Sequence, residues 1–228
     1  MGGLLDIMNH SVFLWPVAGV ALIAGGIALE RFYFLSFRAT LAPEPFMKKI
    51  QREVLSGKLD SAIRICSSEP RAPLANVVKA ALRHADSERE ELALAVEQAT
   101  LDAIPVVQHR IGYLAMIANV VTLIGLLGTI VGLIQSFDAV SQAQNDEKQA
   151  LLSKGIALAM YTTAGGISVA IPTLVAYSML VQRSNAILDD VERCGARAMM
   201  LLNVRRKATT ALQVESPGIQ EETAENQG

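Results

Sequence analysis

Charged side chains make up only 18% of the 228 residues, against about 25% in an ordinary soluble domain. The deficit is concentrated: residues 11–29, 111–137 and 155–182 contain no Asp, Glu, Lys, Arg or His. Each run reaches or exceeds the roughly 18–20 residues that cross a bilayer core. Three of them in one short chain exclude an ordinary soluble domain and predict an all-α membrane protein with three transmembrane helices. At about 1.5 Å per residue the second and third runs are near 40 Å long, against a hydrocarbon core of about 30 Å. They are expected to tilt or to continue as helices beyond the membrane, and their flanks keep helical character.

Other absences narrow the function. A net charge of −2 gives no basic surplus for nucleic acid. Two cysteines, Cys66 and Cys194, fall in segments expected in the cytoplasm, where a structural disulfide has no place. They share no metal-ligand spacing with His10, His84 and His109, so neither a metal nor a cofactor is expected. No nucleophile–base pair or phosphate loop is present, which argues against an enzyme. The first apolar run has no basic residue before it and bulky aromatics (ERFYFLSFR) after it, so it reads as a retained span and not a cleaved leader.

Lysine and arginine set the expected topology. Residues 1–10 have none and the loop after span two has only Lys148 and Lys154, whereas Arg31, Arg38, Arg110 and Arg183 flank the other span ends. The N-terminus (1–11) is therefore expected outside, in the periplasm. Span one follows over 12–37, a cytoplasmic helical loop over 38–108, and span two with its cytoplasmic extension over 109–138. A periplasmic loop occupies 139–153, span three 154–182, a cytoplasmic helix 183–207, and a disordered acidic tail 208–228. Within the loop, Phe46, Ile50 and Val54 recur at helical spacing with Gly57 as a stop. Asp60 is a candidate N-cap, Pro73 opens a third helix, and a fourth runs from Glu88 to Pro105.

What the spans do contain is small and hydroxyl residues in register. Thr122, Gly125, Thr129, Gly132 and Ser136 recur at steps of three and four, as do Ala159, Thr163, Gly166, Ala170 and Thr173, with Thr162 beside them. Such stripes let helices pack closely and bond across the gap. A threonine can equally bond its own backbone, and Pro172 can be purely a kink. No acid or histidine lies at depth, and a hydroxyl without a neighbouring base cannot relay a proton near neutral pH. Either these spans conduct nothing or another chain supplies the titrating group. Glu30 and Arg31, at the inner end of span one, are expected to pair with each other or with headgroups.

The segments LIGLLGTIVGLIQSF (123–137) and GIALAMYTTAGGISVAIPTLVAY (155–177), with Glu30-Arg31 and the loop GKLDSAIRICSSEPRAPLANVVKAAL, resemble the MotA/TolQ/ExbB family over residues 12–195. The resemblance implies an ion-channel subunit, for protons by family analogy, of an inner-membrane motor driven by ion-motive force. It implies a homopentamer around a TolR/ExbD/MotB-like single-span partner, in two copies, that carries a membrane aspartate. Thr129 and Thr163 match the pore-lining threonines, with Thr162 as a second hydroxyl, while Gly125, Gly128, Gly132, Gly166 and Pro172 match the packing positions. Leu158 departs from the glutamate that TolQ-like and ExbB-like members typically carry in GIAEAL. That change fits a gliding-motility type of motor, leaves a sodium-driven stator open because of the Thr162-Thr163 doublet, and keeps alive a non-conducting oligomeric scaffold.

Overall fold

The computed structural model describes residues 14–39, 41–144 and 146–215, and among them every regular element is helical. The segment 1–11 and the tail beyond Glu215 lie outside the described residues. The helices are α1 (Leu14–Tyr33), α2 (Pro43–Leu55), α3 (Leu59–Ser67), α4 (Pro73–Arg83), α5 (Arg89–Gln108), α6 (Ile111–Gln142) and α7 (Lys148–Glu215). A π-helical turn, Phe34–Arg38, follows α1. Three helical stretches are long and apolar enough to cross a membrane: Trp15–Ser36, Arg89–Gln142 and Lys148–Lys207.

The chain divides into two compact units. The first comprises residues up to Phe34 and Gln108–Gln182, that is α1, α6 and the first part of α7. Here α1 packs along α6. The buried cluster is Val17, Ala118, Val121 and Ala170, flanked by Val20, Ile124 and Val169. Large apolar side chains point the other way: Leu22, Leu123, Ile134, Met160 and Ile171 are all exposed. Lipid tails are as apolar as leucine, so helix association here rests on close backbone approach between small residues and on hydrogen bonds. Pro172 lacks the N–H that would bond the Ser168 carbonyl, yet α7 runs through it as a helix.

The second unit, Leu35–Val107 and from Arg183 onward, is a helical bundle with an apolar interior. α2 packs on α3 and α3 on α4. Ile50, Val54, Cys66, Val77, Val78, Leu92, Val191 and Cys194 form its interior. At Gly195 a β-carbon would lie 3.1 Å from Val77 Cγ1 and 3.1 Å from Val96 Cγ1, so three helices meet over a position that has no side chain. α2 closes in a Schellman motif: the Lys58 N–H bonds the Glu53 carbonyl (3.0 Å), the Gly57 N–H bonds that of Val54 (3.1 Å), and Gly57 is left-handed at φ +74°. Gly57→Ala is expected to lower the unfolding free energy by about 1–2 kcal/mol, read as a lower melting temperature of the detergent-solubilised chain.

Other local expectations shift. Asp60 lies inside the first turn of α3, where it meets the positive end of the helix dipole, and Lys58 holds the N-cap position without a side-chain bond. Pro73 stands at the start of α4 with Ala72 as N-cap. α5 continues three residues past Pro105, to Gln108. α7 continues past Lys207 to Glu215.

Arg197 donates to the Glu44 carboxylate at 2.7 Å and holds that carboxyl below the usual range. Both side chains are exposed, so the pair adds little stability. Arg206 donates to the carbonyls of Ala85 (3.3 Å) and Ser87, tying α7 to the turn between α4 and α5. Burial pushes the Cys66 thiol up to about 11 and raises that of Cys194 as well. The thiols are therefore protonated in the folded chain while the unfolded chain releases protons from near pH 9. Stability is expected to fall as pH rises from about 9 to 11, and Cys66→Val should flatten that part of the pH–stability curve measured by urea unfolding.

Candidate functional site: the helical hairpin of α6 and α7

The antiparallel pair α6–α7 holds one register over its length. A β-carbon on Gly166 would lie 2.9 Å from the Val121 carbonyl oxygen and 3.1 Å from Gly125 Cα. One on Gly132 would lie 3.0 Å from Ala159 Cβ, and one on Gly155 only 1.8 Å from Ser136 Oγ and 2.5 Å from its Cβ. Gly125 thus opposes Gly166, Gly132 opposes Ala159, and Ser136 opposes Gly155. Backbone meets backbone along this seam.

The close approach has a chemical result. With no side chain at Gly125, its carbonyl oxygen is open to α7. It accepts from the Thr163 hydroxyl at 3.1 Å and from that of Thr162 at 3.3 Å; Thr162 also donates to its own Ala159 carbonyl at 2.7 Å. Thr129 donates to the Leu126 carbonyl at 2.6 Å. Thr122 and Thr173 donate to the carbonyls of Ala118 and Val169. Every threonine in this hairpin therefore commits its proton to a backbone carbonyl. What remains on each hydroxyl is a pair of acceptor sites.

The candidate residues separate by depth. Thr162 is 2% exposed and lies in the seam with the buried Gly125, Gly128 and Gly166. Thr129, Thr163 and Leu158 are half-buried, at the edge of the seam, and Gly132, also half-buried, lies in it against Ala159. Pro172 is exposed. The buried line on α6 runs through Ala118, Val121, Gly125, Gly128 and Ser136; of the stripe read from the sequence, Gly125, Gly132 and Ser136 lie on the seam while Thr122 faces out. Within the hairpin part of α7 the buried hydroxyls are Thr162 and Thr173, with Thr163 displaced to the margin. Sequence reasoning missed the pairing of Ser136 with Gly155; a small residue facing a small residue near the loop was its one signal.

The pairing expected between Glu30 and Arg31 is corrected. Adjacent residues on a helix do not face each other. Glu30 instead binds Arg110 at 3.2 Å, and Arg31 donates to Nδ1 of His109 with its guanidinium over the Phe34 ring, 5.3 Å from the centroid. Among the described residues no cluster of three or more His, Cys, Asp or Glu could hold a metal.

Comparison with known proteins identifies the chain's relatives. The family model described as the MotA/TolQ/ExbB proton channel family matches residues 69–193. The Tol-Pal system protein TolQ of Haemophilus influenzae is 41% identical over a segment that spans 36% of each chain. The putative biopolymer transport protein ExbB-like 3 of Synechocystis is 30% identical over 74% of this chain and 80% of its own length. The biopolymer transport protein exbB1 of Vibrio cholerae is 32% identical over 50% of this chain and 49% of its own. With three long apolar helices and relatives of this kind, the molecule is a multi-pass protein of the inner membrane, and the chain belongs to the MotA/TolQ/ExbB proton channel family.

Proposed function

We propose that this chain is the ion-conducting subunit of an energy-transducing motor of the Tol or Exb kind, with a gliding-motility motor as a variant of the same reading. Its N-terminus lies in the periplasm and its second unit in the cytoplasm. Five copies surround two copies of a single-span TolR/ExbD-like partner, and the partner's membrane aspartate supplies the acid that α6 and α7 lack. The observation that carries the reading is the state of the two marginal hydroxyls, Thr129 and Thr163, whose protons are already committed to carbonyls. They offer lone pairs, which suit a cation or a protonated carboxyl and disfavour a desolvated carboxylate. Thr162, fully buried, supports Thr163 by sharing the Gly125 carbonyl and belongs to the path only indirectly.

Proton flux into liposomes tests the reading. The chain co-reconstituted with the product of the neighbouring reading frame should pass protons down an imposed gradient. Replacing that partner's membrane aspartate by asparagine should stop the flux while both chains still co-purify. Flux that survives the asparagine replacement contradicts the borrowed acid.

Leu158 supports a second reading, a non-conducting oligomeric scaffold, because a half-buried leucine neither titrates nor holds a cation. The same liposomes separate the two: the scaffold passes nothing in any variant. Flux that depends on sodium and persists without a pH gradient would instead identify a sodium-driven stator.

A further inference from the structure

The geometry points to a protonation-sensitive clasp between α1 and the start of α6, in which neutral His109 holds buried Arg31 and protonated His109 releases it. Arg31 is 6% exposed, and its NH2 group is hydrogen-bonded to Nδ1 of His109. A guanidinium has donors and no acceptor, so Nδ1 must be the acceptor. The imidazole is therefore neutral and carries its proton on Nε2. Protonating Nδ1 replaces an acceptor by a donor and sets two cations against each other, so the bond cannot survive.

Other groups around the histidine do not substitute for it. Those within a turn along the chain that titrate or carry charge are Glu30, Arg31 and Tyr33 on α1, Arg110 in the joint, and Tyr113 on α6. The register that sets Gly125 against Gly166 brings Tyr177 of α7 to the level of Tyr113. The one carboxylate among them, Glu30, binds Arg110. Among the described residues no carboxylate is hydrogen-bonded to Arg31, and its Nε is buried with no hydrogen-bond partner. Its buried charge thus rests on the imidazole, on the face of Phe34 and on the through-space attraction of neighbouring Glu30.

The clasp sits on an unusual piece of backbone. Two residues, His109 and Arg110, separate α5 from α6, and Arg110 is left-handed at φ 60° and ψ −4°. Side chains other than glycine, asparagine and aspartate avoid that conformation. Both residues of the joint are anchored to α1, one through each of two adjacent α1 side chains. Histidine is the side chain whose charge ordinarily changes between about pH 5 and 8, so the joint is built to loosen on acidification.

The test uses the full chain in liposomes, with Cys66→Ser and Cys194→Ser, and spin labels at Phe32→Cys and Tyr113→Cys, two exposed sites on α1 and α6. Pulsed electron resonance from pH 8 to pH 5 should show the interlabel distance moving outward in one transition. His109→Gln, whose amide oxygen accepts from Arg31 at any pH, should hold the short distance throughout. His109→Lys should give the long distance throughout. A distance that ignores pH, or a pH transition retained in His109→Gln, overturns the clasp. Selective nitrogen-15 labelling gives a second readout: Nδ1 of His109 should be unprotonated at pH 8, and a protonated Nδ1 there overturns the inference as well.

Discussion

Thr163→Val should cut proton flux through the assembled complex about ten- to a hundredfold while leaving the complex intact. Valine has the shape of threonine, so the seam at Gly125 still closes. What disappears is one hydroxyl that donates to the Gly125 carbonyl and presents acceptor sites at the groove's edge. Losing a single hydrogen bond costs about 0.5–1.5 kcal/mol of stability, and the Gly125 carbonyl keeps its bond from Thr162, so folding tolerates the change. Conduction does not. A cation or protonated carboxyl passing a site stripped of its acceptor loses about 1.5–3 kcal/mol of charge-assisted bonding, worth about ten- to a hundredfold in rate at a single step. Thr163→Ser keeps the hydroxyl and should retain most of the flux. Thr162→Val should affect melting temperature more than flux, since its hydroxyl is buried in the seam.

Gly155→Ala should separate the loop-proximal ends of α6 and α7 and destabilise the hairpin by about 1–3 kcal/mol, the usual cost of overpacking. The added methyl would sit 1.8 Å from Ser136 Oγ and 2.5 Å from its Cβ. Rotating the hydroxyl away cannot relieve contact with the β-carbon, so Ser136→Ala should not rescue Gly155→Ala. Ser136→Gly removes both atoms and should restore the melting temperature. Gly166→Ala offers no such rescue, because the atoms it meets are the Val121 carbonyl oxygen and Gly125 Cα, both backbone. Thermal unfolding in detergent of the four variants, with flux measured alongside, checks the register.

These two predictions draw on unequal shares of sequence information. The three charge-free runs made the fold class plain, since only a lipid environment accepts that much apolar surface without a polar face. The small residues of the hairpin were equally visible. Their azimuth was not. Steps of three and four describe the line through Thr122, Gly125 and Thr129 as well as the line through Val121, Gly125 and Gly128, and the two share Gly125 but differ in mean direction by about 65°. Only the packed pair selects the second and so moves Thr162 into the seam and Thr163 to its edge. The partners of Glu30 and Arg31 lay out of reach for another reason. They come from residues 80 and 78 positions further along the chain, a proximity created by folding.

The most direct measurement of the central claim is a disulfide scan. In a Cys66→Ser, Cys194→Ser background, cysteine is placed singly at Thr129, Thr163 and the exposed Met160, outside the seam, and paired with cysteine at the partner's membrane aspartate. Bridging requires β-carbons about 3.5–4.5 Å apart. The account predicts that Thr163→Cys or Thr129→Cys joins the partner under mild oxidation and Met160→Cys does not. Crosslinking at Met160→Cys, with none at either threonine position, would contradict it.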